Sequence, residues 1–149
     1  MILAQTKDPT LVQKHMDKCF EGIQKVKFSD KQEVIAMISA ENEVVEFCKK
    51  IDVNEGDKKG NVEKWMLEIE KVMRLSLKML TQQSLAAYYT TPRTEWVAQW
   101  PGQVILAVDQ IDWTVGVEKV FDDMREGKLE AYRDEINVQI LEIVQLVRG

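Results

Sequence analysis

From Asn61 to Tyr89 the chain carries one unbroken helical period, and no other stretch limits its fold so strongly. Val62, Trp65, Met66, Ile69, Val72, Met73, Leu77 and Leu80 recur at three- and four-residue steps. Asn61 stands where an N-cap is needed, and no proline intervenes before Thr90-Thr91-Pro92. At 1.5 Å per residue such a helix is about 40 Å long, a length that suits an elongated rod segment better than a small globule.

The other elements are punctuated by their own signals. Asp8-Pro9 predicts a helix over 8–27, with a carboxylate at the cap, a proline in the first turn, and Val12, Met16, Cys19, Phe20, Ile23 and Val26 at helical spacing. In "EVIAMISAENEVVEFCKKI" β-branched residues flank a polar centre, which predicts a β-hairpin over 33–48. Ala40, Glu41, Asn42 and Glu43 form its tip, and Asn42 is the residue best able to take a left-handed backbone. An isolated hairpin is marginal, so it must lie against something. Residues 52–60 hold two glycines and five charges and predict an exposed loop before the long helix 61–89. Beyond Pro92 the pattern gives a helical corner over 94–102 and helices over 103–125, which includes Met124, and 128–148, with an irregularity near Asp112 to Gly116. The fold class is mainly α: a single fragment, 1–149, forming an elongated helical bundle with one β-hairpin. The apolar pattern has not faded at "VQLVRG", so the chain is expected to be a piece of a longer polypeptide.

Composition removes several function classes. The chain has 20 Lys and Arg against 25 Asp and Glu, interleaved, for a net charge of -5, which disfavours a nucleic-acid footprint. No apolar run reaches the roughly 20 residues that span a bilayer, so no membrane partner is expected. A zinc site needs three or four converging ligands, whereas this sequence offers one histidine, His15, and two distant cysteines, Cys19 and Cys48, read as buried free thiols. "GDKKGN" has the wrong spacing and order for a phosphate-binding loop. The carboxylates, Glu68 and Glu126 among them, fall on polar faces or in turns. No catalytic, cofactor-binding or metal-ligating residue is assigned.

What remains is "TEWVAQWPGQVILAVDQIDWT", with three of the four tryptophans beside the only Pro-Gly pair. A stacking platform for nucleic acid would want interleaved basic residues, and only Arg93 is near; a membrane belt would need a span to flank. The stretch is read as a structural corner, in which Trp96, Trp100 and Trp113, together with Trp65 of the long helix, pack helices while Pro101 and Gly102 turn the chain.

These residues also carry a resemblance. "PRTEWVAQWPGQVILAVDQIDWT" resembles the R-x-x-W-V-x-x-W-P-G-Q-V … W-T signature of the dynein heavy chain linker region, of the axonemal type in particular. "TKDPTLVQKHMDKCFEGI", "MISAENEVV", "GNVEKWMLEIEKV" and "INVQILEIVQLVRG" are similar to further segments of that family in the same order, with Asn42 where the family usually has glycine and Lys14 where proline is common. The resemblance implies a non-catalytic mechanical part: a helical arm over a ring of six AAA+ modules, whose bending and straightening couple ATP hydrolysis to movement along microtubules. ATP and Mg would belong to the ring of the parent chain. The implied partners are the other linker helices and the ring, and, through the parent complex, dynein intermediate and light chains and microtubules. The implied place is the cytoskeleton of a cilium or flagellum. A different reading of the same residues is an independent helical adaptor that scaffolds a protein partner on an amphipathic face.

Overall fold

Gly22 decides the N-terminal part. In the structure, a computed structural model that describes residues 9–123 and 127–148, helix ends at Cys19 with Phe20 extended. Gly22 at φ 78° makes the turn, closed by the Ile23 N–H donating to the Phe20 carbonyl at 3.2 Å, that leads into a strand. The helix expected over 8–27 is replaced by a 3-10 segment Pro9–His15, a one-turn helix α1 (Met16–Cys19) and a strand β1 (Ile23–Phe28). Ile23 and Val26, three apart, imitate a helical stripe; the register shift between Ile23 and Lys25 is a bulge, which lets residues at that spacing share one side of a strand. Asp8, Met124 and Glu126, which figure in the sequence reading, lie outside the described residues.

Strands β2 (Glu33–Ser39) and β3 (Val44–Asp52) join β1 in an antiparallel sheet of order β1-β2-β3. The sheet is therefore larger than the single hairpin expected over 33–48. Its two turns share one construction: the hydroxyl of Ser29 accepts from the N–H groups of Lys31 and Glu33, and that of Ser39 from those of Glu41 and Glu43. Each turn then places one residue in the left-handed region, Gln32 at φ 61° and Asn42 at φ 65°. That conformation costs an ordinary L-residue roughly 1–2 kcal/mol. Gln32→Gly is accordingly expected to stabilise the chain by up to about 1 kcal/mol after glycine's own entropic cost, and Asn42→Gly by less, as read from urea midpoints.

The outer edge of β1 is covered by a side chain. Gln13 Nε2 donates to the carbonyl of Val26 at 2.5 Å, and its Oε1 accepts from Val26 N–H at 2.9 Å, so one amide blunts an edge that could otherwise pair with another strand. The interior of this part holds Val12, Met16, Val26, Val34, Met37, Ile51 and Val53 beside Trp65, Ile69 and Val72 of helix α2 (Val62–Tyr88). Asn61 Oδ1 accepts from the N–H of Lys64 at 3.3 Å, an N-cap bond for that helix. The free cysteines Cys19 and Cys48 are both exposed, not buried as expected: α1 ends at Cys19, and Cys48 lies in a strip of β3 that departs from regular pairing with β2.

That departure is held by α2. Between Ala36↔Glu46 and Val34↔Ile51 the register of β2 and β3 shifts, and the amide of Cys48 donates at 3.0 Å to the hydroxyl of Ser76, which itself donates to the carbonyl of Val72 at 2.7 Å. Further along, the expected exposed loop 52–60 is tied down: Val53 is buried, and Lys58 Nζ lies 2.8 Å from Glu68 and 3.0 Å from Glu55. The hydrogen bond from Lys58 holds the Glu68 carboxyl below its ordinary range, against the opposing effect of burial and with help from Lys49. A depressed carboxylate adds stability above its unfolded pKa and loses it as pH falls through the folded one. Glu68→Gln is thus expected to weaken the chain at neutral pH and to reduce the further loss on acidification below the ordinary glutamate range, measured by urea unfolding at both pH values.

Two compact units divide the chain at Met79/Leu80. The second contains the end of α2, a one-turn helix α3 (Arg93–Trp96), α4 (Gly102–Asp123) and α5 (Lys128–Arg148). Among the described residues the fold is mainly helical with one three-stranded sheet. Helix α4 is continuous, and the irregularity expected near Asp112 to Gly116 is absent.

Candidate functional site

The corner of the second unit is built around Trp96. Pro92 forbids continuation of the preceding turn, α3 restarts at Arg93, and the Trp96 side chain becomes buried. Its Nε1–H donates to the carbonyl of Ser84 at 3.0 Å, which satisfies the one polar atom that burying an indole leaves to be paired. Tyr88 meets the Trp96 ring edge to face at 5.0 Å and 84°. Arg93 stacks on the Tyr88 ring at 5.0 Å, donates to the Tyr88 hydroxyl, and reaches Asp109 of α4 at 2.6 Å. Burial raises the Tyr88 hydroxyl above its ordinary value, with Arg93 pulling the other way; the hydrogen bond to Asp112 at 2.8 Å raises that of Tyr89.

The other expected corner residues divide. Trp65 is buried in the first unit. Trp100 is half-buried, and its Nε1–H, although buried, has no hydrogen-bond partner among the described residues. Their spacing of four, which suggests one side of a helix, does not place Trp96 and Trp100 on one helical face, because α3 ends at Trp96. Pro101 offers its carbonyl to the N–H groups of Val104 and Ile105, at 2.9 and 3.0 Å, and Gly102 opens α4 behind it. Trp113 is 56% exposed, which corrects the expectation that it locks helices together. Ala40, Glu41, Asn42 and Glu43 are exposed at the tip of the β2–β3 turn.

Two features escaped sequence reasoning. The Tyr88–Arg93–Asp109 link joins residues 5 and 16 positions apart, beyond any single helical period; the lone arginine next to Pro92 is its only signal. Gly116 resembles a helix breaker but is a close-approach position, since a Cβ there would sit 2.2 Å from the Tyr132 hydroxyl of α5. Glycine inside α4 admits the ring without ending the helix.

No group of three or more His, Cys, Asp or Glu side chains that could hold a metal ion occurs among the described residues, and no described helix is long and apolar enough to cross a membrane. The arrangement is one of packing, hydrogen bonding and ion pairing.

Comparison with known proteins gives these residues a family. Residues 1–84 match the family model described as dynein heavy chain, N-terminal region 2. The chain belongs to the dynein heavy chain family. It is 45% identical over 148 residues to human dynein axonemal heavy chain 3, 42% identical over 148 residues to rat dynein axonemal heavy chain 12, and 40% identical over 149 residues to human dynein axonemal heavy chain 1. Each match covers 99% of this chain but only 4%, 5% and 3% of the respective relative. The chain thus spans a small part of the length of the proteins it is similar to.

Proposed function

We propose that this chain is a mechanical linker segment of an axonemal dynein motor, part of a lever arm that moves over the AAA+ ring and couples ATP hydrolysis there to movement along microtubules. The observation that carries this reading is α2 in a member of the dynein heavy chain family. It is 27 residues without a break, about 40 Å at the usual rise. The Cys48–Ser76 hydrogen bond and the Lys58–Glu68 pair bind the first unit's share of α2 to the sheet and its following loop, and Trp96 engages the second unit's share through Ser84 and Tyr88. A helix fastened at successive points along its length resists bending, which a lever requires.

In this reading the segment performs no chemistry; ATP and Mg act in the parent's ring. Its partners are the remaining linker helices and the ring, with intermediate and light chains and microtubules engaged through the assembled motor. The exposed tip Ala40 to Glu43 is a candidate contact with the ring or another part of the linker. The axonemal names of the relatives support a ciliary or flagellar axoneme as its place.

Softening α2 tests the proposal. Lys71→Gly, Leu75→Gly and Lys78→Gly lie on its exposed face and each weakens the helix by about 1 kcal/mol without removing a buried group. In the complete heavy chain this triple variant is expected to slow microtubule gliding while ATP turnover persists. Gliding at the unaltered speed, with the helix shown to be softened, would overturn the lever reading.

A further inference from the structure

We propose that Arg93 is a positioning residue which, through a clamp of two rungs, fixes the direction in which α4 leaves the end of α2. The inference stands whether or not the segment acts as a lever.

The clamp consists of contacts inside the second unit. Tyr88 is the last residue of α2, Tyr89 follows it, and Asp109 and Asp112 both belong to α4, at a spacing that puts the two carboxylates on one side of the helix. In the first rung the Arg93 fork bridges the two elements: Nη1 donates to the Tyr88 hydroxyl and Nη2 to Asp109 Oδ1, the latter at 2.6 Å. In the second rung the Tyr89 hydroxyl donates directly to Asp112 Oδ1 at 2.8 Å. The two tyrosine rings meet edge to face at 5.4 Å and 88°, so each rung supports the other.

Two rungs do what one does not. A single hydrogen bond between two helices leaves them able to swivel about it, whereas two bonds offset along α4 by about 4.5 Å, three residues at the usual rise, remove that rotation. Arg93 is itself held from both sides. The carbonyl of Pro92 accepts from the N–H groups of Glu95 and Trp96 at 3.0 and 2.9 Å, which fixes the turn that carries Arg93, and the guanidinium lies 5.0 Å from the centre of the Tyr88 ring. Arg93 and Asp109 are both half-buried, so solvent screens them less than it does a surface pair. Lysine could answer the charge of Asp109, but it has no planar fork with which to hold a hydroxyl and a carboxylate at once. The packing of Trp96 makes the corner; the clamp sets its angle.

The test measures that angle directly. Spin labels are placed on α2 at Gln83→Cys and on α4 at Leu106→Cys, both exposed positions, with Cys19 and Cys48 replaced by serine. The parent is expected to give one narrow distance distribution. Arg93→Met, which keeps an apolar stem and removes the fork, is expected to broaden it, and so is Asp109→Ala, which removes the acceptor. In both variants the indole N–H of Trp96 is expected to stay protected from exchange and the helix content by circular dichroism to stay unchanged. Arg93→Lys is expected to recover part of the urea midpoint lost with methionine and to leave the distribution broad. Each of Arg93→Met and Asp109→Ala is expected to lower the folding equilibrium constant about tenfold, and the double variant also about tenfold, where independent losses would multiply to roughly a hundredfold. A narrow distribution retained in both single variants, or losses that multiply, would overturn the proposal. So would a narrow distribution restored by lysine, since charge alone would then set the angle.

Discussion

Replacing Trp96 with alanine is expected to cost the second unit about 3–5 kcal/mol, the range for truncating a buried large aromatic. The loss has several sources: Trp96 is 1% exposed, donates to Ser84, and forms the surface against which Tyr88 packs. Tyr88 in turn carries the Arg93 stack and the link to Asp109, so the damage extends beyond the removed volume. Trp113→Ala serves as the contrast: its side chain is mostly exposed, and its effect is expected to fall within about 0.5 kcal/mol. Urea unfolding of the two variants side by side gives the measurement. Similar losses for both would contradict the view that the corner is centred on Trp96.

The second large effect is expected from Ser76→Ala. This serine is 2% exposed and its hydroxyl is the acceptor for the Cys48 amide. That amide sits at a register shift, so the neighbouring strand does not supply a replacement. The bond is part-buried, so its loss is expected to cost about 1 kcal/mol, more than the small gain in helix propensity from alanine. The matching local readout is amide exchange: Cys48 N–H is expected to exchange faster in the variant than in the parent, beyond what the global loss explains. An unchanged urea midpoint together with unchanged exchange at Cys48 would show that the hydroxyl does not hold the bulge.

The sequence made some elements legible and concealed others for physical reasons. Helix α2 is written in a period sustained over many residues, and Trp65, Ile69 and Val72 of that period are buried. The tip residue Asn42 is marked by chemistry that tolerates a left-handed backbone. Strand β1 is concealed because a bulge lets Ile23 and Val26 keep a helical spacing while extended. Gln32 occupies a left-handed position with no residue preference to announce it. At the candidate site, the burial of Trp96 and the turn at Pro101 follow from the pattern of tryptophan and proline. The exposure of Trp113 does not, because which face of α4 a neighbour covers is a tertiary fact. Gly116 misleads for a similar reason: its meaning comes from Tyr132, 16 residues away.

The family model matches residues 1–84, and the stretch after Pro92 that resembles the dynein signature lies beyond them. The signature stretch contains Trp96 at the centre of the corner, Arg93 across Tyr88, and Pro101 accepting the first amides of α4. Those roles are in packing and hydrogen bonding, and they suit a segment proposed to transmit movement.

In the proposed lever, this packing transmits force. Its most direct test is microtubule gliding by the complete heavy chain carrying Trp96→Ala, with ATP turnover measured on the same preparation. Slower gliding with ATP turnover retained is expected, because the proposed arm is softened while the ring is intact. Gliding at the parental speed, with the corner demonstrably destabilised, would contradict it.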